Sequence, residues 1–130
     1  MTDTFKLEII SPDTNVMKSE VSEVTIPAFE GAMSILKDHI SLITFLRPGF
    51  IDVKTINATE RFFVEEGTIE FFDNNLLILS STTINVKNLT GDDVANMIEE
   101  TKEKIKVAKI DDKNQYILNH KIDALKEINQ

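Results

Sequence analysis

The chain has 130 residues, 42% of them apolar and 28% charged, with a net charge of −8 and no cysteine. That suits one ordinary domain, or one domain with a small appendage. It excludes disulfides, thiolate metal sites and a cysteine nucleophile, and the acidic balance argues against nucleic-acid binding and against adsorption to anionic lipid, both of which need a basic face.

The two histidines, His39 and His120, lie far apart, and neither has a second histidine at ligand spacing, so no zinc site is expected. No apolar run approaches the roughly 20 residues needed to span a bilayer. The start, Met1-Thr2-Asp3-Thr4, lacks the basic and apolar stretches of a secretory signal and the arginines of a transit peptide. These features predict a cytosolic chain that reaches a membrane only through a protein partner.

Phe5-Lys6-Leu7-Glu8-Ile9 alternates strictly and predicts a half-buried strand, followed by a turn at Ser11-Pro12-Asp13. A strand resumes over Val21 to Ile26, with Val24 and Ile26 inward, and Pro27 is expected to stop it. Glu30-Gly31 turns the chain, Met33 to Leu36 is a short strand, and Lys37-Asp38-His39 is a polar corner before Leu42 to Leu46. Pro48-Gly49 suits a type II turn, because proline fixes the first central φ and glycine accepts a positive second one. Phe50 to Ile56 predicts a strand with Ile51 and Val53 on one face, and Asn57-Ala58-Thr59 a hairpin loop. Arg61 to Glu66 and Thr68 to Phe72 are strands parted at Gly67, where a bulge or sharp turn is expected. Asp73-Asn74-Asn75 is a further hairpin turn, and Leu76 to Ser80 ends the series.

Turn signals recurring about every 8 to 12 residues mark a sandwich or barrel. Some strands are apolar on both faces, with Phe62 and Val64 against Phe63, and Ile69 and Phe71 against Phe72. One face fills a core, and the other needs a cover from the rest of the chain or from a partner.

Near Asn88 the period changes from two to about 3.6. Thr90 to Asp93 reads as an N-cap with acids in the first turn, where they oppose the positive end of the helix dipole. Val94, Met97, Ile98, Thr101, Ile105 and Ala108 form one stripe. Ile110-Asp111-Asp112 breaks it, with either aspartate able to cap a second helix, and Ile117, Leu118, Ile122, Ala124, Leu125 and Ile128 form that helix's stripe. The prediction is therefore an N-terminal antiparallel β-sandwich over residues 1–87 and an antiparallel two-helix hairpin over residues 88–130. Helices this short are marginal alone, so the hairpin must draw its stability from docking.

Candidate chemistry is sparse. Glu65 and Glu66 are adjacent, so on a strand they point apart and are read as solvated or turn residues. His39 has no serine, cysteine or acid at a motif spacing and is read as structural or interfacial, with Asp38 capping the turn. The four glycines never cluster into a phosphate-cradling loop. Lys102, Lys104, Lys106, Lys109 and Lys113 interleave with Glu99, Glu100 and Glu103, which fits a solvated face or a contact with an acidic partner. The residues alone point to a non-enzymatic binding module.

Pro27-x-x-Glu30-Gly31-x-x-x-Ile35-Leu36-x-x-His39-x-x-Leu42, then Leu46-x-Pro48-Gly49, closely resembles the epsilon subunits of F-type rotary ATP synthases. So do Leu7 to Pro12, Phe63-Val64-x-x-Gly67-x-Ile69-Glu70, and Asp73-Asn74-Asn75 before Leu77 to Leu79. The match runs in order along the whole chain. It implies a non-catalytic subunit of the central stalk, without cofactor, in a proton-translocating complex peripheral to the cytoplasmic face of a bacterial plasma membrane. The sandwich would bind the gamma subunit through positions matching Ser11, His39 and Thr44, and would rest on the c-ring through the loop Glu30, Gly31, Ala32 and Met33. The hairpin, with Lys102, Lys106, Lys109 and Lys113, would either fold against the sandwich or extend along gamma toward the beta subunits of the catalytic hexamer, where it would obstruct ATP hydrolysis.

Where that family usually has glycine this chain has Ser34, where it has Pro-Gly this chain has Lys37-Asp38, and where it has proline this chain has Ser41. The corner is therefore expected to be less rigid. ATP-sensing members carry an Ile-Asp-x-x-Arg-Ala signature, with further arginines on the second helix; here Leu89 to Val94 takes its place, and the two arginines are Arg47 and Arg61. Lysine cannot reproduce the bidentate arginine fork, so no appreciable ATP binding by the hairpin is expected. The competing reading is a freestanding ligand sensor whose hairpin closes on a small molecule.

Overall fold

In the computed structural model, which describes residues 3–107 and 111–128, strands occupy the first part and two helices the second. The strands are β1 (Phe5–Ser11), β2 (Thr14–Val21), β3 (Glu23–Ala28), β4 (Gly31–Leu36), β5 (Leu42–Leu46), β6 (Gly49–Lys54), β7 (Thr59–Val64), β8 (Gly67–Phe72), β9 (Asn75–Leu79) and β10 (Ile84–Asn85). A helical turn at Val86–Asn88 leads to α1 (Gly91–Val107) and α2 (Asp112–Ile128). Ala108, Lys109 and Ile110 lie outside the described residues.

The strand path is β10-β7-β6-β3-β5-β8-β9-β1-β2, with β4 on the far edge of β3. It folds over at the single pair Ala28 with Leu46, which joins β3 to β5. The two halves face each other across one core. Phe5, Leu7 and Ile9 alternate into it from β1, Ile51 and Val53 from β6, Ile69 and Phe71 from β8, and Leu76 and Ile78 from β9. Each is a period-2 set on one face of its strand, as the sequence predicts. The described ladders are antiparallel except that of β1 with β9, which is parallel.

Several local expectations are corrected. Pro27 does not stop its strand, because β3 continues to Ala28. On the edge shared with β6 and β5, β3 pairs with β6 only as far as Thr25 and with β5 only at Ala28. Pro27 falls in that gap, where the absence of an N–H breaks no ladder. Gly49 is not the positive-φ residue of a type II turn; it opens β6. A Cβ there would lie 2.7 Å from Pro27 Cβ, so glycine is needed for close approach. β2 went unpredicted because Lys18 and Glu20 interrupt its apolar positions, and β10 is only two residues long.

The corner that lacks Pro-Gly is held in another way. Asp38 and Asn74 both have positive φ, at 68° and 59°. Asn74 Oδ1 accepts from the Asp38 N–H at 2.7 Å, and Asn74 Nδ2 donates to Asp38 Oδ1 at 3.0 Å. Asp73 and Asn74, both left-handed, make the primed turn that matches strand twist in the β8–β9 hairpin. Ser34, in place of glycine, bonds Thr25 across the β3–β4 pair at 3.0 Å.

A second, smaller core joins the hairpin to the outer face of β6 and β7. Phe63, Val94, Ala124 and Leu125 are buried in it, with Phe50, Leu89, Met97, Ile98 and Ile128 around them. Phe63 thus finds its cover within the chain.

Candidate interaction surfaces

The turn Phe29-Glu30 leads into β4, and Glu30 and Ala32 stand exposed at its tip. Gly31 has φ 144° and open space around it, while Met33 turns back onto the main core. The four residues therefore form a projecting tip anchored at one end.

Next to this tip lies the outer face of β5, β8 and β9. Ile43 is 76% exposed, Phe45 65%, Phe72 63% and Leu79 45%. Phe45, Thr68 and Leu79 lie in one cross-strand row, and Ile43, Glu70 and Leu77 in the next. Thr68 and Glu70 stand in the middle of these rows, so the face mixes exposed large apolar side chains with polar ones, a pattern that fits a surface a partner covers. Where the face meets α2, a cleft of about 850 Å³ is bordered by Ser11, Phe29, Glu30, Thr44, Phe45 and Ile117.

Of the three positions predicted to meet a common partner, Ser11 and Thr44 share this cleft. His39 does not: it lies past the other end of β5, its ring edge-on to Phe71 at 5.9 Å and its Nδ1 2.7 Å from the Ile40 carbonyl. Lys102, Lys106 and Lys113 are exposed on the hairpin, with Lys113 at the rim of the cleft. Lys109 lies outside the described residues.

The hairpin is fastened to the sandwich by polar contacts that the apolar stripes did not reveal. Lys121, whose side chain is only 11% exposed, pairs with Glu65. Glu65 is therefore not simply a solvated residue. Its backbone N–H and that of Glu66 donate to Thr82 Oγ1, and buried Ser80 donates to the Glu66 carbonyl at 2.6 Å, which fixes the loop that presents it. Arg61 lies over the Phe50 ring at 3.9 Å, bonds Asp52 at 2.8 Å and reaches Glu127 of α2 at 3.7 Å. Arg47 donates to the Tyr116 hydroxyl at 2.9 Å, and that hydroxyl donates to the Phe29 carbonyl at 2.8 Å. His120 packs edge-on to Tyr116 at 4.4 Å. Burial and the Arg47 guanidinium hold its imidazole below the ordinary range, against the opposing pull of Asp123. The sequence signals available for these residues were Tyr116, the one tyrosine, and Lys121, a lone cation inside an apolar stripe.

Among the described residues no three or more histidine or acidic side chains gather as a metal site, and no helix is long and apolar enough to cross a membrane.

Residues 4–86 match the family described as ATP synthase, Delta/Epsilon chain, beta-sandwich domain. The ATP synthase epsilon chain of Pelagibacter ubique is 42% identical over 130 residues, covering 99% of this chain and 100% of that one. That of Mesorhizobium japonicum is 32% identical over 112 residues, covering 85% and 83%. Among solved structures, a chain of the Euglena gracilis mitochondrial ATP synthase (OSCP, F1 and c-ring) superposes with a TM-score of 0.80 at 18% identity, covering 100% of this chain and 84% of that one. A chain of the Tetrahymena thermophila central stalk and c-ring gives 0.69 at 14%, covering 99% and 98%. The sandwich, the two-helix tail and a full-length relative at 42% identity together show that this chain belongs to the ATP synthase delta/epsilon family.

Proposed function

We propose that this chain serves as the non-catalytic epsilon-type subunit of the central stalk in a bacterial F-type ATP synthase. The observation that carries the reading is the exposed apolar face of β5, β8 and β9, a surface that a freestanding protein would have reason to bury. In this reading the face, with Ser11 and Thr44 at its edge and His39 beyond its far end, lies on the gamma subunit. The Glu30, Gly31, Ala32 and Met33 tip rests on the c-ring. Residues 1–87 then work as the torque-coupling body and residues 88–130 as a separate regulatory unit. The complex is proton-driven and peripheral to the cytoplasmic face of a bacterial plasma membrane, which this chain reaches through its partners.

The hairpin has a second position available, extended along gamma toward the beta subunits, where Lys102, Lys106, Lys109 and Lys113 meet acidic surface and hinder hydrolysis. Its helices are held by a small core and a few polar contacts, which makes such release energetically accessible. Removing the chain after Asn88 is expected to raise ATP hydrolysis by the assembled enzyme; unchanged hydrolysis would remove the inhibitory role.

The test of the main reading is co-purification of the tagged chain with gamma and the catalytic subunits. The cleft beside α2 favours one competitor, a ligand sensor. A free monomer whose melting temperature rises with a metabolite would establish that instead. Titration with ATP is expected to show no micromolar binding.

A further inference from the structure

Among the contacts between hairpin and sandwich, one cluster differs in kind from the apolar packing around it. Tyr116 on α2 links two separate parts of the sandwich: it accepts from Arg47, which follows β5, and donates to the Phe29 carbonyl, which follows β3. Its ring also packs on Phe29 at 5.1 Å. One turn further along α2, His120 lies against Tyr116 and lines a groove with Arg47. We propose that Tyr116 and His120 form a proton-sensitive latch, closed when His120 is neutral, that holds the hairpin on the sandwich and lets go as the solution acidifies.

The charges around the imidazole set the direction. The groove receives Arg47 from the β5–β6 link, Asp52 from β6 and Arg61 from β7, with Asp123, Lys126 and Glu127 from α2 itself. Asp52 and Glu127 are engaged by Arg61, and on the neighbouring turn Lys121 is engaged by Glu65. Arg47, held by Tyr116, lines the same groove as His120, so a second cation on the ring would oppose it. Asp123 favours the protonated ring, but burial and Arg47 outweigh it. The docked imidazole therefore binds its proton less tightly than the imidazole of a released hairpin. The stabilisation of docking by this group is complete above the released pKa and is lost as pH falls through the docked one. Histidine is the side chain suited to such a response near neutrality.

The chain has no cysteine, so a dye pair can be placed at Asn57→Cys on the sandwich and Gln115→Cys on α2, both exposed positions, in the full-length protein. Energy transfer between the dyes is expected to fall from about pH 8 to about pH 5.5, a span that brackets ordinary imidazole titration. His120→Gln is expected to abolish that fall, and Tyr116→Phe to lower transfer already at the alkaline end. An unchanged fall in H120Q, no fall in the parent, or a Y116F chain as closed as the parent would each overturn the latch. If a variant fails to fold, NMR titration of His120 in the unaltered chain decides. A pKa below the usual value of about 6.5 supports the latch, and one at or above it overturns the latch.

Discussion

Thr90 and Asp93 begin the hairpin with a reciprocal pair of hydrogen bonds: each side chain accepts from the other's backbone N–H at 3.1 Å. The bond from the Thr90 N–H, with the Thr90 hydroxyl as a lesser contributor, holds the Asp93 carboxyl below its ordinary range. That stabilisation is present above the ordinary carboxylate pKa and is lost as acid protonates Asp93 through its lower folded value. Thr90→Ala is expected to weaken the start of α1 by about 1 kcal/mol, measured as faster amide exchange in its first turn. Lys121→Ala leaves the partly buried Glu65 without its cation and is expected to loosen α2 by about 2 kcal/mol, below the cost for a fully buried pair, read by exchange across α2. Gly49→Ala sets a methyl against Pro27 and is expected to cost about 1–3 kcal/mol in chemical denaturation of the sandwich.

At the scale of elements, strands with clean alternation were legible because their two faces meet different environments. Phe5, Leu7 and Ile9 enter the core while Lys6 stays wet. β2 escaped for the converse reason: it is an edge strand with little to bury, so Lys18 and Glu20 masked it. Pro27 misled because a rule for central strands meets an exception where a strand changes partner. The helical stripes were legible, since Val94 and Leu125 are buried as expected. The polar fastening was not, because Arg47 and Tyr116 are 69 residues apart and no local pattern joins them. Ser11 and Thr44 are likewise distant along the chain, so they could be placed together only by resemblance. Leu125→Ala, which empties the second core, is expected to cost the hairpin about 2–5 kcal/mol. Because that core is separate from the one inside the sandwich, the strands should keep their exchange protection while α1 and α2 lose theirs.

For the molecule as a whole, the packing leaves one apolar face uncovered while the chain covers another with its own hairpin. A charge placed on the open face, as in Ile43→Asp or Phe45→Asp, should leave the isolated fold intact, since both side chains already meet water. The same change is expected to prevent retention of the chain by gamma, because an unpaired carboxylate buried in an interface loses its hydration without return. The most direct test of the central claim, a body seated between shaft and ring, is a photo-crosslink from Ala32 in isolated membranes. A product joining this chain to a c-ring subunit is expected; products confined to other proteins, with the chain still bound to the membrane, would overturn that placement.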